Sequence, residues 1–237
     1  MPYSERLHGM QAGGLVAFCR MHTLKNLRLL HGAILVLDAA SMEVQVGLLR
    51  ANGRDSWSRM QADAGQGIFA CMEQLGNPLK VVDAFIYCEG PGSILGIRTA
   101  AAAIRTWQAI RQRPAYHYRS LDLVAHALAP NRRSVRVIAD ARRESWHVVE
   151  IGAAGTVMPI ARIPHSHQST GDSVTPEHFR TWAKLPPGTQ VVDYDLPRLL
   201  AATMTVPLLM ESSAPDAFSH EQPRYATWSP AIHRAPS

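Results

Sequence analysis

Cysteine is scarce in this chain of 237 residues. Cys19, Cys71 and Cys88 form no C-x-x-C pair and no even framework, which excludes a disulfide-stapled secreted domain and favours a reducing, cytoplasmic setting. Lysine is equally rare: only Lys25, Lys80 and Lys184 interrupt a basic set of 24 that is otherwise arginine. No apolar run approaches the ~18 residues a membrane span needs, so no membrane role is expected. The 11 histidines contain no H-x-x-x-H pair, no glycine precedes a Lys-Ser/Thr step, and no G-x-S-x-G appears. A helical metal pair, a P-loop and a serine-hydrolase elbow therefore all lack support.

What remains is 46% hydrophobic and 18% charged, the composition of a globular protein with a sizeable core. The first 31 residues differ from the rest. A Gly13-Gly14 step and the short apolar patch Leu15 to Cys19 give way to a basic stretch from Arg20 to Arg28. Glu5 and the missing small-x-small site argue against a signal peptide. Residues 1–31 read instead as a poorly ordered extension, or as sequence upstream of a true start at Met10 or Met21.

Ile34-Leu35-Val36-Leu37-Asp38 has the pattern of a buried strand ending in a carboxylate, and Val44, Val46 and Leu48 alternate on a second strand. About a hundred residues later the arrangement recurs, as Val135 to Ala141, a short polar turn, and Trp146 to Ile151. Two copies of strand, Asp-Ala turn and strand indicate internal duplication into two lobes, residues 32–131 and 132–237, the second with a proline-rich tail. Between them, helices are expected over 66–76 and 93–112, a strand over 81–88, and a short strand over 115–118 before a helix capped by Ser120. The later lobe reads as a strand over 157–163, a helix over 176–184, a strand over 190–193 and a helix over 196–203.

The helix over 93–112 has a broad apolar arc from Ile97 to Ile110, wider than one sheet contact requires, and a polar stripe of Arg98, Arg105, Gln108 and Gln112. Gly90, Gly92 and Gly96 precede and open it, where free amides favour an anion. Their spacing matches neither dinucleotide nor P-loop signatures, so a structural turn is the better reading. Asp38 and Asp140 could face each other across an interlobe cleft and hold a Mg²⁺–nucleotide complex, but no glycine follows either to wrap a phosphate. His165-x-His167 sits in a polar loop and reads as a solvated pair.

Ile34 to Ala39, the block Glu89-Gly90-Pro91-Gly92-Ser93-Ile94-Leu95-Gly96-Ile97-Arg98, Arg119-Ser120-Leu121-Asp122, Val137 to Arg142 and Gln222-Pro223-Arg224-Tyr225 together resemble the TsaB (YeaZ) family. The resemblance implies an α/β, duplicated two-lobe actin-like ATPase fold of the ribonuclease H-like kind. It also implies a non-catalytic subunit in bacterial synthesis of the threonylcarbamoyladenosine beside the tRNA anticodon. The implied partners are a TsaD-like catalytic subunit, which binds its metal through the H-x-x-x-H pair absent here, and a TsaE-like ATPase. A homodimer is implied for the chain alone, and tRNA contact through the complex. Family dimers form through the first two helices of the first lobe. This places partner contacts at Ile68, Met72, Gly92, Ser93, Ile94, Leu95, Gly96, Arg98, Ala101 and Arg105, and leaves Asp38, Ser41 and Asp140 as a vestigial nucleotide site.

The sequence departs from the family at several points. Asp-Thr-Ser/Thr is Asp38-Ala39-Ala40-Ser41, the histidine before the first helix is replaced near Ala64, and Phe-Thr after the glycine turn is Ile94-Leu95. The glycine-rich loop of the last lobe is Val191-Val192-Asp193-Tyr194-Asp195. These losses point to no catalytic residues, no metal and no cofactor, with ATP or ADP and Mg²⁺ at the cleft as the lesser possibility. Other readings are a small-molecule kinase, a glycoprotease-like metalloenzyme, or a tRNA-binding module. The net charge of +5 comes from the two ends, but residues 98–143 carry 10 basic and 2 acidic groups. That stretch is the expected dock for tRNA or an acidic partner surface.

Overall fold

Two sheets with one strand order divide the chain, as seen in a computed structural model that describes residues 21–166 and 171–218. In chain order the elements are β1 (Met21–His22), α1 (Leu24–Leu30), β2 (Ala33–Asp38), β3 (Glu43–Arg50), β4 (Ser56–Gln61), α2 (Ala64–Gln74), β5 (Ala84–Gly90), α3 (Ile94–Ile110), β6 (Ala115–Arg119) and α4 (Ser120–Leu128). The second half has β7 (Val135–Ala141), β8 (Ser145–Ile151), β9 (Ala161–Pro164), β10 (Asp172–Pro176), β11 (Gln190–Val192), α5 (Leu196–Ala202) and β12 (Leu209–Ser212). The first sheet runs β1-β12-β6-β5-β2-β3-β4 and the second β11-β10-β7-β8-β9.

Read outward from β2 and from β7, the two sheets are copies. In each, a meander of three antiparallel strands is followed by two strands added in parallel beside the first. The duplication inferred from the two Asp-Ala turns is thus present in the hydrogen-bonding order itself. In the first lobe α2 and α3 make the crossovers that parallel pairing requires.

Burial on both faces explains why the central strands are almost wholly apolar. On β2, Ile34 and Val36 join one core cluster while Leu35 and Leu37 join another. On β5, Ala84, Ile86 and Cys88 face the first cluster while Phe85 and Tyr87 face the second. The first cluster is the joint between lobes, because Val135, Val137, Ala139, Val149 and Val174 of the second sheet pack there with α4 and α5 residues. The second cluster holds α2 and α3 through Ile68, Met72, Ala100, Ala101, Ile104 and Trp107.

Several expectations are corrected. Within the stretch 1–31 read as poorly ordered, residues 21–31 are part of the fold: Thr23 caps α1 by accepting from the Asn26 amide at 3.0 Å, Leu24 and Leu27 are buried, and β1 pairs with β12. The second lobe does not keep to its own sheet, since β12 returns to the first. No helix forms over 176–184. The amides of Trp182 and Ala183 donate instead to the Asp140 carboxylate at 2.7 and 2.8 Å, which holds that backbone in an irregular loop. Ser120 is the first residue of α4 rather than its cap, and its hydroxyl donates to the Pro91 carbonyl at 2.6 Å. His167, Gln222 to Tyr225, Cys19 and the tail beyond Phe218 lie outside the described residues. Cys71 and Cys88 are buried free thiols, and no helix among the described residues is long and apolar enough to cross a membrane.

Candidate functional site

The glycine turn, the Asp140 end of β7 and the irregular loop after β10 meet at a cleft between the lobes, and the Asp38 end of β2 lies buried behind the glycine turn. Gly90 and Pro91 are joined by a cis peptide, Ser93 caps α3 by accepting from the Gly96 amide at 3.3 Å, and the Ser93 amide donates to the Ala40 carbonyl at 2.7 Å. A Cβ on Gly92 would lie 2.4 Å from the Ala40 oxygen, and one on Gly96 would lie 2.0 Å from the Ala39 oxygen. These glycines therefore exist for close approach of α3 to the loop after Asp38, as the structural-turn reading holds. The space in which that loop could wrap a phosphate is taken by the backbone of the turn.

Asp38 is completely buried. Its Oδ2 accepts from the Tyr118 hydroxyl at 2.5 Å and the Tyr194 hydroxyl at 2.7 Å, and its Oδ1 from the Ala40 amide at 2.8 Å. Burial raises its carboxyl above the usual carboxylate range, against the opposing pull of those three donors. Tyr194 comes from the segment where a glycine-rich loop was expected. Gln45, itself buried, fixes that segment by donating to the Tyr194 carbonyl at 2.6 Å and accepting from the Leu196 amide at 3.0 Å. The hydroxyl of Ser41 is closed on Glu43, donating to its carbonyl at 2.7 Å and accepting from its amide at 3.2 Å. Asp140 is occupied by Trp182 and Ala183, with His165 Nε2 at 3.5 Å.

All three residues of the expected nucleotide remnant are therefore spent inside the protein, and they do not fit a Mg²⁺–nucleotide complex. Among the described residues no three His, Cys, Asp or Glu side chains converge as a metal cluster.

Beside the turn, Glu89 Oε1 accepts from Arg119 Nε at 2.9 Å and Oε2 lies 2.9 Å from His117 Nδ1. Burial alone would raise the Glu89 carboxyl, but His117 and Arg119 together hold it below the usual range. Asp122, in the first turn of α4, fares differently. Its buried Oδ1 has no hydrogen-bond partner, and burial pushes its carboxyl up to about 6, with Glu89 adding to the rise and Arg119 opposing it. A folded-state value above the unfolded one means stability is greatest below pH ~4 and falls as pH rises through about 6. Asp122→Asn is accordingly expected to gain about 2 kcal/mol relative to wild type between pH 4 and pH 8. Urea unfolding at both pH values checks this.

The expected partner-binding residues separate into two groups. Ile68, Met72 and Ala101 are at most 2% exposed and belong to the core, so they cannot meet a partner directly. On α2 the outward residue is Phe69, 56% exposed and one position from Ile68; on α3 it is Leu95, 78% exposed, with Ile94 and Arg98 also outward. Sequence periodicity groups Phe69 with Ile68, Met72 and Leu75 on one apolar side of the helix; the fold buries Ile68 and Met72 and turns Phe69 outward. Arg105 donates to the Pro215 carbonyl, so the chain after β12 covers part of the polar stripe on α3. That segment continues across the turn, where the Phe218 amide donates to the Glu89 carbonyl at 2.7 Å and the Phe218 ring lies under the Arg119 guanidinium.

Two lobes of one strand order, joined across a buried seam with a cleft at their strand ends, define the duplicated actin-like ATPase fold of the ribonuclease H-like kind. Within it, the chain is similar to YeaZ from Pseudomonas aeruginosa, with a TM-score of 0.51 and 20% identity over 73% of this chain and 90% of that one. It is similar also to an uncharacterized protein from Pseudomonas aeruginosa described as resembling peptidase YEAZ, with a TM-score of 0.50 and 20% identity over 72% of this chain and 89% of that one. At this identity the likenesses establish the fold. No protein-family model and no curated protein matches the sequence.

Proposed function

We propose that this protein is a cytoplasmic, non-catalytic scaffold that binds a TsaD-like catalytic subunit for tRNA threonylcarbamoyladenosine synthesis, with a TsaE-like ATPase joining the pair. The observation that carries this reading is the outer side of the α2–α3 layer. A helix pair fully packed on its own sheet still exposes Phe69 and Leu95, large apolar side chains that gain from a partner surface. The YeaZ-like fold and the internal use of Asp38, Ser41 and Asp140 support the same reading, and the sequence lacks the metal-binding H-x-x-x-H pair. The same side serves a homodimer when the protein is alone, and no nucleotide or metal is required.

Phe69→Asp with Leu95→Asp is expected to leave the fold intact while abolishing co-purification of the catalytic subunit from the native organism. Retained capture by the double variant, or unchanged tRNA modification after deletion of the gene, contradicts the proposal. Ile68→Ala serves as the contrast, since it opens a cavity in the core and costs about 2–5 kcal/mol of stability instead.

A further inference from the structure

The fold disperses the basic stretch 98–143 and builds a different cluster. Arg111 follows the far end of α3, where it donates to the Lys80 carbonyl, and Arg113 lies over the Phe85 ring. Arg132 is held by Gln190, and Arg136 is buried against Ser173. Arg119 is engaged by Glu89. Only Arg98, Arg142 and Arg143 reach the interlobe cleft, and there Arg162 and Arg180 from later in the chain join them.

Five arginines thus line one cavity of about 500 Å³, Arg162 among them already donating to Ser145 Oγ and the Arg142 carbonyl, and its acidic lining residues are Glu89 and Asp140. Both acids are already compensated, Glu89 by Arg119 and His117, and Asp140 by the two loop amides. With those two acids compensated, the arginines dominate the cleft, and a cleft in which one sign of charge prevails focuses its field on an incoming anion. Guanidinium groups pair with phosphate oxygens through two parallel N–H bonds. The Trp182 side chain borders the same space and is 75% exposed, although its own backbone is pinned to Asp140. A second cavity of about 660 Å³ shares Asp140 to Arg143 and Trp182 and is bordered also by the exposed Glu144, so the space extends along the β7–β8 turn but its far end is less basic than the cleft. An acidic protein surface would use the arginines but has no need of an exposed indole. A base does, because stacking on an aromatic ring contributes about 1–3 kcal/mol per base.

We propose that this cleft binds a single strand of nucleic acid, with phosphates on Arg142 and Arg180, Arg98 on the opposite wall, and a base stacked on Trp182. Binding needs no Mg²⁺, since the strand-end carboxylates are unavailable and the arginines meet the phosphates directly. The inference stands on the cleft's own chemistry and does not depend on the scaffold reading.

The test is fluorescence anisotropy of the full chain with a labelled RNA oligonucleotide of about 12 residues, in EDTA at low salt. Arg142→Glu with Arg180→Glu is expected to raise Kd about tenfold or more and to flatten the dependence of affinity on salt. Trp182→Ala is expected to raise Kd about fivefold or more, with Trp182→Phe restoring most of the loss. Lys25→Glu with Arg54→Glu makes the same charge change away from the cleft and is expected to have the smaller effect. The proposal is overturned if the two double variants weaken binding equally, or if Trp182→Ala does not change it. It is likewise overturned if AMP binds as tightly as the oligonucleotide, or if a polyglutamate peptide displaces the strand at equal concentration. Leu95 borders the cleft as well, whereas Phe69 does not, so Phe69→Asp alone reads partner capture separately and either proposal can fail alone.

Discussion

Gly96→Ala is expected to destabilise the protein by about 3–5 kcal/mol, a large share of the roughly 5–15 kcal/mol that holds a domain together. One methyl group is enough because the atom it meets cannot yield. The added Cβ would sit 2.0 Å from the Ala39 carbonyl oxygen, and that carbonyl lies between the Asp38 cluster and the turn that seats α3. Relief requires α3 to lift from the sheet, which would also unpack Ile97, Ala100 and Ala101. Gly53→Ala is the control. Gly53 has φ +74 but nothing within 4 Å of its Cβ, so only backbone strain of about 1 kcal/mol is expected there. Urea unfolding of both variants separates steric exclusion from backbone preference. The sequence suggested Gly96 as a partner contact; its buried packing makes it a requirement of the fold.

Asp38→Ala is expected to cost a comparable 3–5 kcal/mol, because it strands two tyrosine hydroxyls and an amide in a completely buried site. Asp38→Asn keeps an acceptor oxygen and is expected to lose less. The pH dependence distinguishes the two effects. Burial raises the Asp38 carboxyl in the folded state, so its favourable contribution is complete below the unfolded value near 4 and declines as pH rises. The advantage of wild type over Asp38→Asn is therefore expected to shrink from acidic to neutral pH, as measured by urea midpoints. An advantage that grows with pH would mean that the ionised form is the one the fold selects.

Asp38 marks the boundary between what the chain's local pattern encodes and what only long-range packing decides. The buried strands and both Asp-Ala turns were legible, because covering both faces of a sheet leaves an unbroken apolar run and duplication leaves the run twice. The glycine block was legible as a turn, because its spacing fitted no phosphate loop. The role of Asp38 was not, since its fate depends on Tyr118 and Tyr194, far along the chain, and on Gln45 holding the latter in place. Helix α1 was hidden by its basic composition, although Thr23 three residues before Asn26 is a recognisable cap. The loop over 177–189 defeated the helical reading because Asp140 captures two of its amides. The cleft arginines were hidden by separation: Arg162 and Arg180 lie outside the basic stretch that composition singled out.

These particulars give one picture of the cleft. The two strand-end carboxylates serve the fold: Asp38, buried behind the cleft, ties Tyr194 of the second lobe to the first, and Asp140 organises the loop that presents Trp182. Under the two proposals, function would rest on surfaces: the apolar residues of α2–α3 and the arginine-lined cleft. Calorimetric titration of the isolated protein with Mg²⁺·ATP tests this most directly. The account expects no Mg²⁺-dependent heat up to roughly millimolar nucleotide. Micromolar binding that requires Mg²⁺ and disappears in Asp140→Asn would contradict it.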